Sequence, residues 1–282
     1  MIEVDSQNVI LLKCQKRKIK DTGRMFGVFL CSEKEWLYCP VKLHNGDCLE
    51  LMKNIPGGSI DMILCDLPYG TTACKWDSVI PFVPLWEQYE RIIKENGAIV
   101  LFSIQPFTTK LIHSNFKRYK YNWYWQKNNK TGSQYARVQP MRCIEDICVF
   151  YKKVPTYNPQ GLIKLEKPIY HKKTKSNVYS YRASGSIQRF KNYPCHLLKY
   201  DSCGIGKDKR LHPTQKPVAL LEYLIKTYTN SGETVLDSCM GSGSTGVACV
   251  NTERKFIGIE LERKYYEISK QRIENAVFSL QK

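Results

Sequence analysis

Apolar runs and stretches of helical periodicity alternate along most of this chain. Runs rich in Ile, Leu, Val and Met at 60–65, 98–102 and 234–236 are typical of buried strands. Between such runs, apolar residues recur at helical spacing, as at 81–95 and 218–229. Strands that alternate with helices predict βαβ units around a mostly parallel sheet. The pattern therefore predicts the α/β fold class.

The alternation is interrupted once, and a basic segment of irregular pattern precedes it. Residues 1–40 form this segment, for which we predict only a hairpin and assign no role. Residues 152–211 are rich in Gly, Pro and Lys, which predicts an insertion of long loops. The insertion separates two halves of one domain, residues 41–151 and 212–282. Strands are predicted at 41–44, 60–66, 98–102, 119–126, 144–151, 234–237 and 256–260, and helices at 49–53, 81–95, 105–115, 218–229 and from residues 244 and 263.

The charge of the chain indicates a polyanionic partner. It carries 43 Lys and Arg against 26 Asp and Glu, a formal net charge of +17. Between residues 151 and 216, 15 Lys or Arg face only three acids, and tyrosines are interleaved with them. Nucleic-acid surfaces use positive charge for phosphates and aromatic rings for sugars and bases. This composition favours a nucleic-acid-binding insertion over a basic, solvated insertion without a partner.

The remaining composition excludes several classes of protein. Hydrophobic residues make up 43% of the chain, which excludes general disorder, and no apolar run approaches the ~18 residues of a membrane span. We expect a cytoplasmic protein without a membrane partner, whose 12 scattered cysteines are reduced. No metal is expected, because neither candidate ligand set has paired CxxC spacing. These sets are Cys14, Cys31 and Cys39, and Cys195, His196, Cys203 and His212.

Asp66-Leu67-Pro68-Tyr69 ends the predicted strand 60–66. Pro68 and Gly70 stop the strand where its carboxyl end meets solvent. A carboxylate and an aromatic ring are thereby presented together at the edge of the sheet where α/β proteins bind ligands. By itself the tetrapeptide is also compatible with an ordinary turn that ends a strand and has no functional role.

A second motif follows the strand 234–237, where Asp237 leads into a glycine turn and a helix start. Such a turn presents backbone N–H groups and a helix amino terminus to an anionic group of a ligand. The next predicted strand ends in Glu260, an acid placed to accept hydrogen bonds from ribose hydroxyls. Because the glycines do not follow GxGxxG spacing, a nucleoside cofactor other than a nicotinamide dinucleotide is favoured.

With these motifs the chain resembles the β-class of S-adenosylmethionine-dependent DNA amino-methyltransferases, which methylate adenine N6 or cytosine N4. In that family a D/N/S-P-P-Y motif comes first, a target-recognition insertion follows, and the cofactor loop comes last. The motif at 66–69, the basic insertion and the loop at 237–246 stand in this order, and His212-Pro213-Thr214-Gln215-Lys216-Pro217 matches the segment before the family's cofactor loop. The resemblance covers roughly residues 41–275. It implies a Rossmann-like sheet, mostly parallel with one antiparallel edge strand and permuted motif order.

The resemblance also implies roles for individual residues. The Asp66 carboxylate and the Leu67 carbonyl would accept hydrogen bonds from the target amine, Pro68 would fix the turn, and Tyr69 would stack on the flipped base. Asp at the first position resembles the adenine-specific members. The implied partners are double-stranded DNA, a second copy of the chain and a cognate restriction enzyme. The S-adenosylmethionine site would comprise Asp47, His212, Thr214, Lys216, Asp237, Met240, Gly241, Ser242, Gly243, Thr245 and Glu260.

Several alternatives stay open from the sequence. Asp47 is equally suited to cap the short helix that follows it. The family's loop usually begins Asp-Pro-Phe, whereas this chain has Ser238 and Cys239, which puts cofactor affinity in question. Leu67 replaces a proline, but its role uses only the backbone carbonyl. The rival functions are cytosine-N4 methylation and a DNA-binding relic of the fold that has lost catalysis.

Overall fold

The computed structural model describes residues 2–4, 9–14, 37–38, 41–71, 77–171, 186–203 and 215–280, with only the backbone described before residue 41. His212 and Thr214 of the predicted cofactor site lie outside these residues. The strands are β1 (Ile2–Val4), β2 (Val9–Cys14), β3 (Leu37–Tyr38), β4 (Val41–Asn45), β5 (Ile60–Asp66), β6 (Ile93–Ser103), β7 (Tyr119–Thr131), β8 (Arg142–Phe150), β9 (Ile163–His171), β10 (Ser186–Lys191), β11 (Leu197–Lys199), β12 (Thr234–Asp237) and β13 (Lys255–Glu260). The helices are α1 (Cys48–Met52), α2 (Phe82–Ile92), α3 (Phe107–Ser114), α4 (Val218–Tyr228), α5 (Ser244–Asn251) and α6 (Arg263–Leu280).

One large sheet organises the described part of the chain. Its strand order is β1-β2-β4-β13-β12-β5-β6-β8-β7-β11, and β3 pairs with β2. The pairs from β4 to β6 are all parallel, which confirms the predicted mostly parallel α/β sheet. The strands predicted from hydrophobic runs are all present, with two larger differences in their bounds. β6 begins at Ile93, inside the predicted helix 81–95, and β7 continues through Thr131, beyond the predicted end at 126.

The antiparallel strand does not lie at the edge, so this detail of the predicted sheet is wrong. β8 runs antiparallel to both β6 and β7 and lies between them. β7 and β8 follow each other through a short connection and pair directly, which inserts β8 into the sheet. At the opposite edge β2 pairs antiparallel with β4, and β1 with β2. The hairpin predicted within residues 1–40 is therefore present as β1–β2 and extends the main sheet.

Each face of the sheet is covered by three of the described helices, because alternate side chains of a strand point to opposite faces. In β5, Met62 and Leu64 belong to one buried cluster, whereas Ile63 and Cys65 belong to the other. The first cluster is completed by α4, α5 and α6, and the second by α1, α2 and α3. Trp123 and Trp125 are also buried in the first cluster.

The strands that carry the two motifs are neighbours. Val235 of β12 pairs with Met62 of β5 in parallel register, so Asp237 and Asp66 emerge at the same edge of the sheet. From β5 the chain proceeds to β6 on one side, and from β12 to β13 on the other. The gap between β5 and β12 is therefore the point at which the strand order reverses, where open α/β sheets bind their ligands.

The inserted region contributes a separate two-stranded sheet and one strand of the main sheet. β9 and β10 pair antiparallel, and nearly all their side chains are exposed. β11 pairs parallel with β7, which places the end of the insertion at the edge of the main sheet. No helix among the described residues is both long and apolar enough to cross a membrane.

Candidate functional site

The turn after β5 holds Asp66 and Tyr69 side by side. Tyr69 donates a hydrogen bond of 2.5 Å from its hydroxyl to Oδ1 of Asp66, and its ring packs 5.1 Å from that of Phe107. Gly70 has a positive φ of 67°, which a glycine adopts without strain. The buried carboxylate of Asp77 accepts hydrogen bonds of 2.9 Å from the backbone N–H groups of Gly70 and Thr71. Asp77 therefore fixes the backbone that follows the motif.

Lys216 contacts Asp66 directly. Its ammonium lies 2.5 Å from Oδ2 of Asp66 and 3.6 Å from Oε2 of Glu145, a residue of β8. The other oxygen of Glu145 accepts a 2.7 Å hydrogen bond from Lys127 of β7. All four side chains are largely buried, with exposed fractions between 8% and 20%. We call Asp66, Lys216, Glu145 and Lys127 the charge cluster.

Burial and the shared lysine set the protonation of this cluster. Burial raises the pKa of Asp66, and Glu145 raises it further, against the lowering effect of Lys216. Burial alone would raise the pKa of Glu145 as well, but Lys216 and Lys127 outweigh it and lower that pKa. The pKa of Lys216 is raised, because its two carboxylate neighbours outweigh the cost of burying its charge. The lysines therefore act unequally on the two carboxylates: the pKa of Glu145, which has two lysine partners, is lowered, whereas that of Asp66, which has one, is raised.

The turn between β12 and α5 forms a closed hydrogen-bonded loop. Asp237 accepts hydrogen bonds from the hydroxyl of Thr245 at 2.6 Å and from the backbone N–H of Cys239 at 3.1 Å. Burial raises the pKa of Asp237 to about 6. Gly243 caps α5 with a φ of 77°, and a Cβ there would lie 2.7 Å from Cβ of Ser269. Only glycine fits this turn, which presses α5 against α6.

The end of β13 supports the same loop. Glu260 accepts hydrogen bonds from the backbone N–H groups of Gly241 at 2.8 Å and Glu262 at 2.9 Å. Each carboxylate oxygen keeps a further lone pair for a ligand. Burial raises the pKa of Glu260. Met240 is buried beside this acid. Its sulfur lies so close to Gly258 that a Cβ at Gly258 would collide with it.

Ser238 and Cys239, which depart from the Asp-Pro-Phe sequence, are integrated in the core. The hydroxyl of Ser238 lies 2.6 Å from that of Tyr89 and 3.4 Å from the sulfur of Cys65. Cys239 packs against the buried cluster that contains Cys48 and Cys65. Ser238, in the place of the proline, therefore makes a polar contact to α2. Cys239, in the place of the phenylalanine, packs a smaller apolar side chain.

Asp47 caps α1, which is one of the two roles that the sequence leaves open for it. Its Oδ1 accepts hydrogen bonds from the backbone N–H groups of Leu49 at 2.7 Å and Glu50 at 3.2 Å. Asp47 also lines the cavity that joins the two motifs, so capping does not remove it from the site. Ser242 is buried at the loop, where its carbonyl accepts a 2.6 Å hydrogen bond from Arg272 of α6.

One cavity of about 380 Å³ unites both motifs. Its walls include the turn after β5, the loop after β12, the end of β13 and the start of α1. Of the described residues that were predicted, all but Gly243 line the cavity: Asp47, Asp66, Leu67, Pro68, Tyr69, Lys216, Asp237, Met240, Gly241, Ser242, Thr245 and Glu260. The carboxylates of Asp66, Asp237 and Glu260 give the cavity an acidic lining.

Sequence reasoning missed Asp77, Tyr89, Lys127 and Glu145. A signal existed for Glu145, because Glu145 and Asp146 interrupt an otherwise apolar strand. Tyr89 and Lys127 carry no local signal, since their partners Ser238 and Glu145 lie elsewhere in the chain. The partners of Asp77 lie six and seven residues before it, but they are backbone N–H groups, which no side-chain pattern marks. Within the described segments no three His, Cys, Asp or Glu side chains are grouped to hold a metal ion.

Comparison with known proteins gives concordant matches. Residues 60–271 match a family model described as DNA methylase, covering adenine-N6 and cytosine-N4 methyltransferases. The Type II methyltransferase M2.DpnII of Streptococcus pneumoniae is 48% identical over 91% of this chain and 98% of its own length. The DNA adenine methyltransferase YhdJ of Escherichia coli K12 is 26% identical over 82% of each chain. A crystal structure of the M1.HpyAVI–SAM complex superimposes with a TM-score of 0.55 at 26% identity, over 82% of this chain and 99% of that one.

Proposed function

Because this chain belongs to the N6/N4 DNA methylase family, we propose that it transfers a methyl group from S-adenosylmethionine to adenine N6 in double-stranded DNA. It is a DNA methyltransferase whose cofactor is S-adenosylmethionine. The observation that carries the proposal is the single cavity between Asp66 of β5 and Asp237 of β12. A base on one side of such a cavity and a methyl donor on the other would lie within reach of each other.

The residues of the cofactor half fit this cofactor. When bound, S-adenosylmethionine supplies an electrophilic methyl group on a positively charged sulfonium. The acidic lining at Asp237, together with Glu260 and Asp47, suits a cationic ligand that also carries ribose hydroxyls. The cavity volume of about 380 Å³ is within the range of small-molecule sites.

The base half supplies two hydrogen-bond acceptors for an amine. The lone pair of an exocyclic amine is delocalised into the ring, so acceptors that draw its two hydrogens towards tetrahedral geometry make the nitrogen more nucleophilic. Asp66 Oδ1 and the Leu67 carbonyl are the acceptors in this proposal. Since Lys216 holds Oδ2, the amine would displace the Tyr69 hydroxyl from Oδ1. The released Tyr69 ring would then stack on the base.

Base flipping is required because the amine is paired inside duplex DNA. Extruding a base costs a few kcal/mol, and one aromatic stack offsets about 1–3 kcal/mol of it. Exposed positive charge would hold the phosphates of the duplex while this happens. The described part of the insertion fits this task, because Lys164, Lys167, Arg189 and Lys191 are exposed on the β9–β10 sheet.

The enzymatic claim is tested by methyl transfer from labelled S-adenosylmethionine to unmodified genomic DNA. The wild type should transfer label, and Asp66→Ala should lower kcat at least about a hundredfold because the amine loses one of its acceptors. Asp61→Asn is the matched control, since Asp61 lies on the same strand and pairs with Lys94 away from the cavity, and an Asn oxygen can still accept the hydrogen bond from the backbone N–H of Thr234. Undiminished transfer by Asp66→Ala would reject the mechanism.

Cytosine N4 is the rival target, because the family model covers both reactions. Mass analysis of the methylated nucleosides separates the two, and N4-methylcytosine as the product would overturn the adenine proposal. The DNA-binding relic predicts no calorimetric binding of S-adenosylmethionine. The contacts of Ser238 described above argue against a decayed cofactor loop.

The proposal includes a cytoplasmic location, a homodimer and a cognate restriction endonuclease as partner. The name of M2.DpnII as a Type II methyltransferase supports the last of these. Light scattering of the purified protein tests the dimer. To test for the endonuclease, the protein is co-expressed with the genes that flank its own gene, and the cell extract is assayed for cleavage of plasmid DNA.

A further inference from the structure

Asp66 belongs to a buried cluster whose other members come from three other segments of the chain. Lys216 precedes α4, Glu145 lies in β8 and Lys127 lies in β7. Their contacts run in one line, from Lys127 to Glu145 at 2.7 Å, from Glu145 to Lys216 at 3.6 Å, and from Lys216 to Asp66 at 2.5 Å. The charge cluster therefore alternates in sign and is neutral as a whole.

Such an arrangement is costly unless every charge has a partner. Among the described residues Oε2 of Glu145 has no hydrogen-bond partner, and the Lys216 ammonium is its ion-pair contact at 3.6 Å. The ammonium also lies 5.1 Å from the centre of the Phe102 ring, within cation–π range. Lys216 is thus held by Asp66, by the Phe102 ring and by Glu145, whose position depends in turn on Lys127.

We propose that Glu145 is a positioning residue for methyl transfer, which acts through Lys216 to fix Asp66 Oδ2 and leave Oδ1 for the target amine. This inference rests on the proposed function. Lys127 has the corresponding role one step further away, because it holds Glu145 in place. Neither residue touches the base in this arrangement.

The second effect of Glu145 is electrostatic. Without it, Lys216 would pair with Asp66 alone and draw electron density from the acceptor oxygens, which makes Asp66 a weaker acceptor. Without Lys127, two carboxylates would compete for one lysine, and Asp66 would take up a proton at higher pH. Among the described residues, the other titratable groups that face Asp66 are Tyr69 on its own turn and Asp237 in β12. None of them changes in these two variants.

The experiment compares Glu145→Gln, Lys127→Met and the double variant with the wild type. Methylation of genomic DNA across pH 5–8 should show kcat reduced roughly ten- to hundredfold in Glu145→Gln, with little change in KM, because an acceptor is misplaced. The acid limb of the profile should move to lower pH in Glu145→Gln and to higher pH in Lys127→Met. The double variant restores neutrality and should bring the limb back towards the wild-type position.

Glu90→Gln is the matched control, since it removes an acid from the exposed Glu90–Arg118 ion pair of α2 and should leave the profile unchanged. Thermal melting shows that each variant is folded. Shifts of the same sign in Glu145→Gln and Lys127→Met, or an unchanged kcat in Glu145→Gln, would overturn the inference while leaving the proposed function intact.

A readout independent of activity separates the two claims. Carbon-13 NMR of protein labelled at aspartate carboxyls follows the titration of Asp66 directly, and Asp66→Asn identifies its resonance. The Asp66 pKa should fall in Glu145→Gln and rise in Lys127→Met, even in a protein that transfers no methyl group. One common Asp66 pKa in all four proteins would overturn the inference.

Discussion

The hydroxyl of Tyr69 lies 2.5 Å from Oδ1 of Asp66, the oxygen that Lys216 does not contact. In the proposed mechanism, the tyrosine and the target amine therefore compete for one acceptor. The aromatic ring of Tyr69 meanwhile packs against that of Phe107, with the ring centroids 5.1 Å apart. Base binding would exchange one donor for another at Asp66 without leaving the buried carboxylate unpaired.

This competition predicts different outcomes for two substitutions of Tyr69. Tyr69→Phe keeps the stacking ring and removes the competing hydroxyl, so methylation of genomic DNA should retain kcat/KM within a few-fold of wild type. Tyr69→Ala also removes the stack, and kcat/KM should fall about 5- to 150-fold, the equivalent of about 1–3 kcal/mol. Steady-state kinetics with labelled cofactor measure both. Equal losses in the two variants would show that the hydroxyl, and not the ring, is what matters.

Asp237 should make the stability of the protein depend on pH. Its folded-state pKa of about 6 is raised above the ordinary value of 3.8, so the folded protein holds a proton that the unfolded chain releases between these values. The stability from this group is fully present below about pH 3.8 and is lost as pH rises through 6, about 3 kcal/mol in all. Asp237→Asn mimics the protonated form and should not show this loss.

Urea unfolding of wild type and Asp237→Asn at several values between pH 4 and pH 7 measures the difference. The free energy of unfolding of the wild type should decline relative to the variant as pH increases. A difference that stays constant across this range would contradict the raised pKa.

Two glycines with positive φ allow the conformational cost of a Gly→Ala substitution to be distinguished from its steric cost. Gly232 has a φ of 81° and open space where a Cβ would lie, so Gly232→Ala should cost about 1 kcal/mol. Gly243 has a φ of 77° and a Cβ would meet Ser269 at 2.7 Å, so Gly243→Ala should cost about 3 kcal/mol or more. Denaturant unfolding gives both values, and cofactor affinity should fall only in Gly243→Ala. Similar losses in the two variants would contradict the tight packing of α5 on α6.

The buried hydroxyl pair of Tyr89 and Ser238 predicts a strong energetic coupling. Ser238→Ala leaves the Tyr89 hydroxyl without its 2.6 Å partner and should cost about 1–3 kcal/mol of stability. Adding Tyr89→Phe removes the stranded hydroxyl, so the double variant should be more stable than the sum of the single losses implies. A double-mutant cycle by urea unfolding measures this coupling. Strict additivity would mean that the two hydroxyls do not depend on each other.

Much of the site is predictable because its signals are local. The strand before Asp66, the proline and glycine that end it, and the glycine turn after Asp237 are each contained in a few residues. Asp47 is likewise predictable as a helix cap, since its partners are the next few backbone N–H groups. The family resemblance also indicates Lys216 as a site residue, although it implies a cofactor contact for this lysine and the structure pairs it with Asp66.

By itself the sequence determined the α/β alternation, the two motifs and their order, because strand ends, turns and helix starts depend on neighbouring residues. Only the tertiary structure decided that β8 lies inside the sheet, that Glu145 reaches Lys216, and that Ser238 meets Tyr89. These contacts join residues far apart in the chain, and their partners are chosen by strand order and register. A one-residue shift in register would turn each side chain to the other face, so no local pattern can specify them.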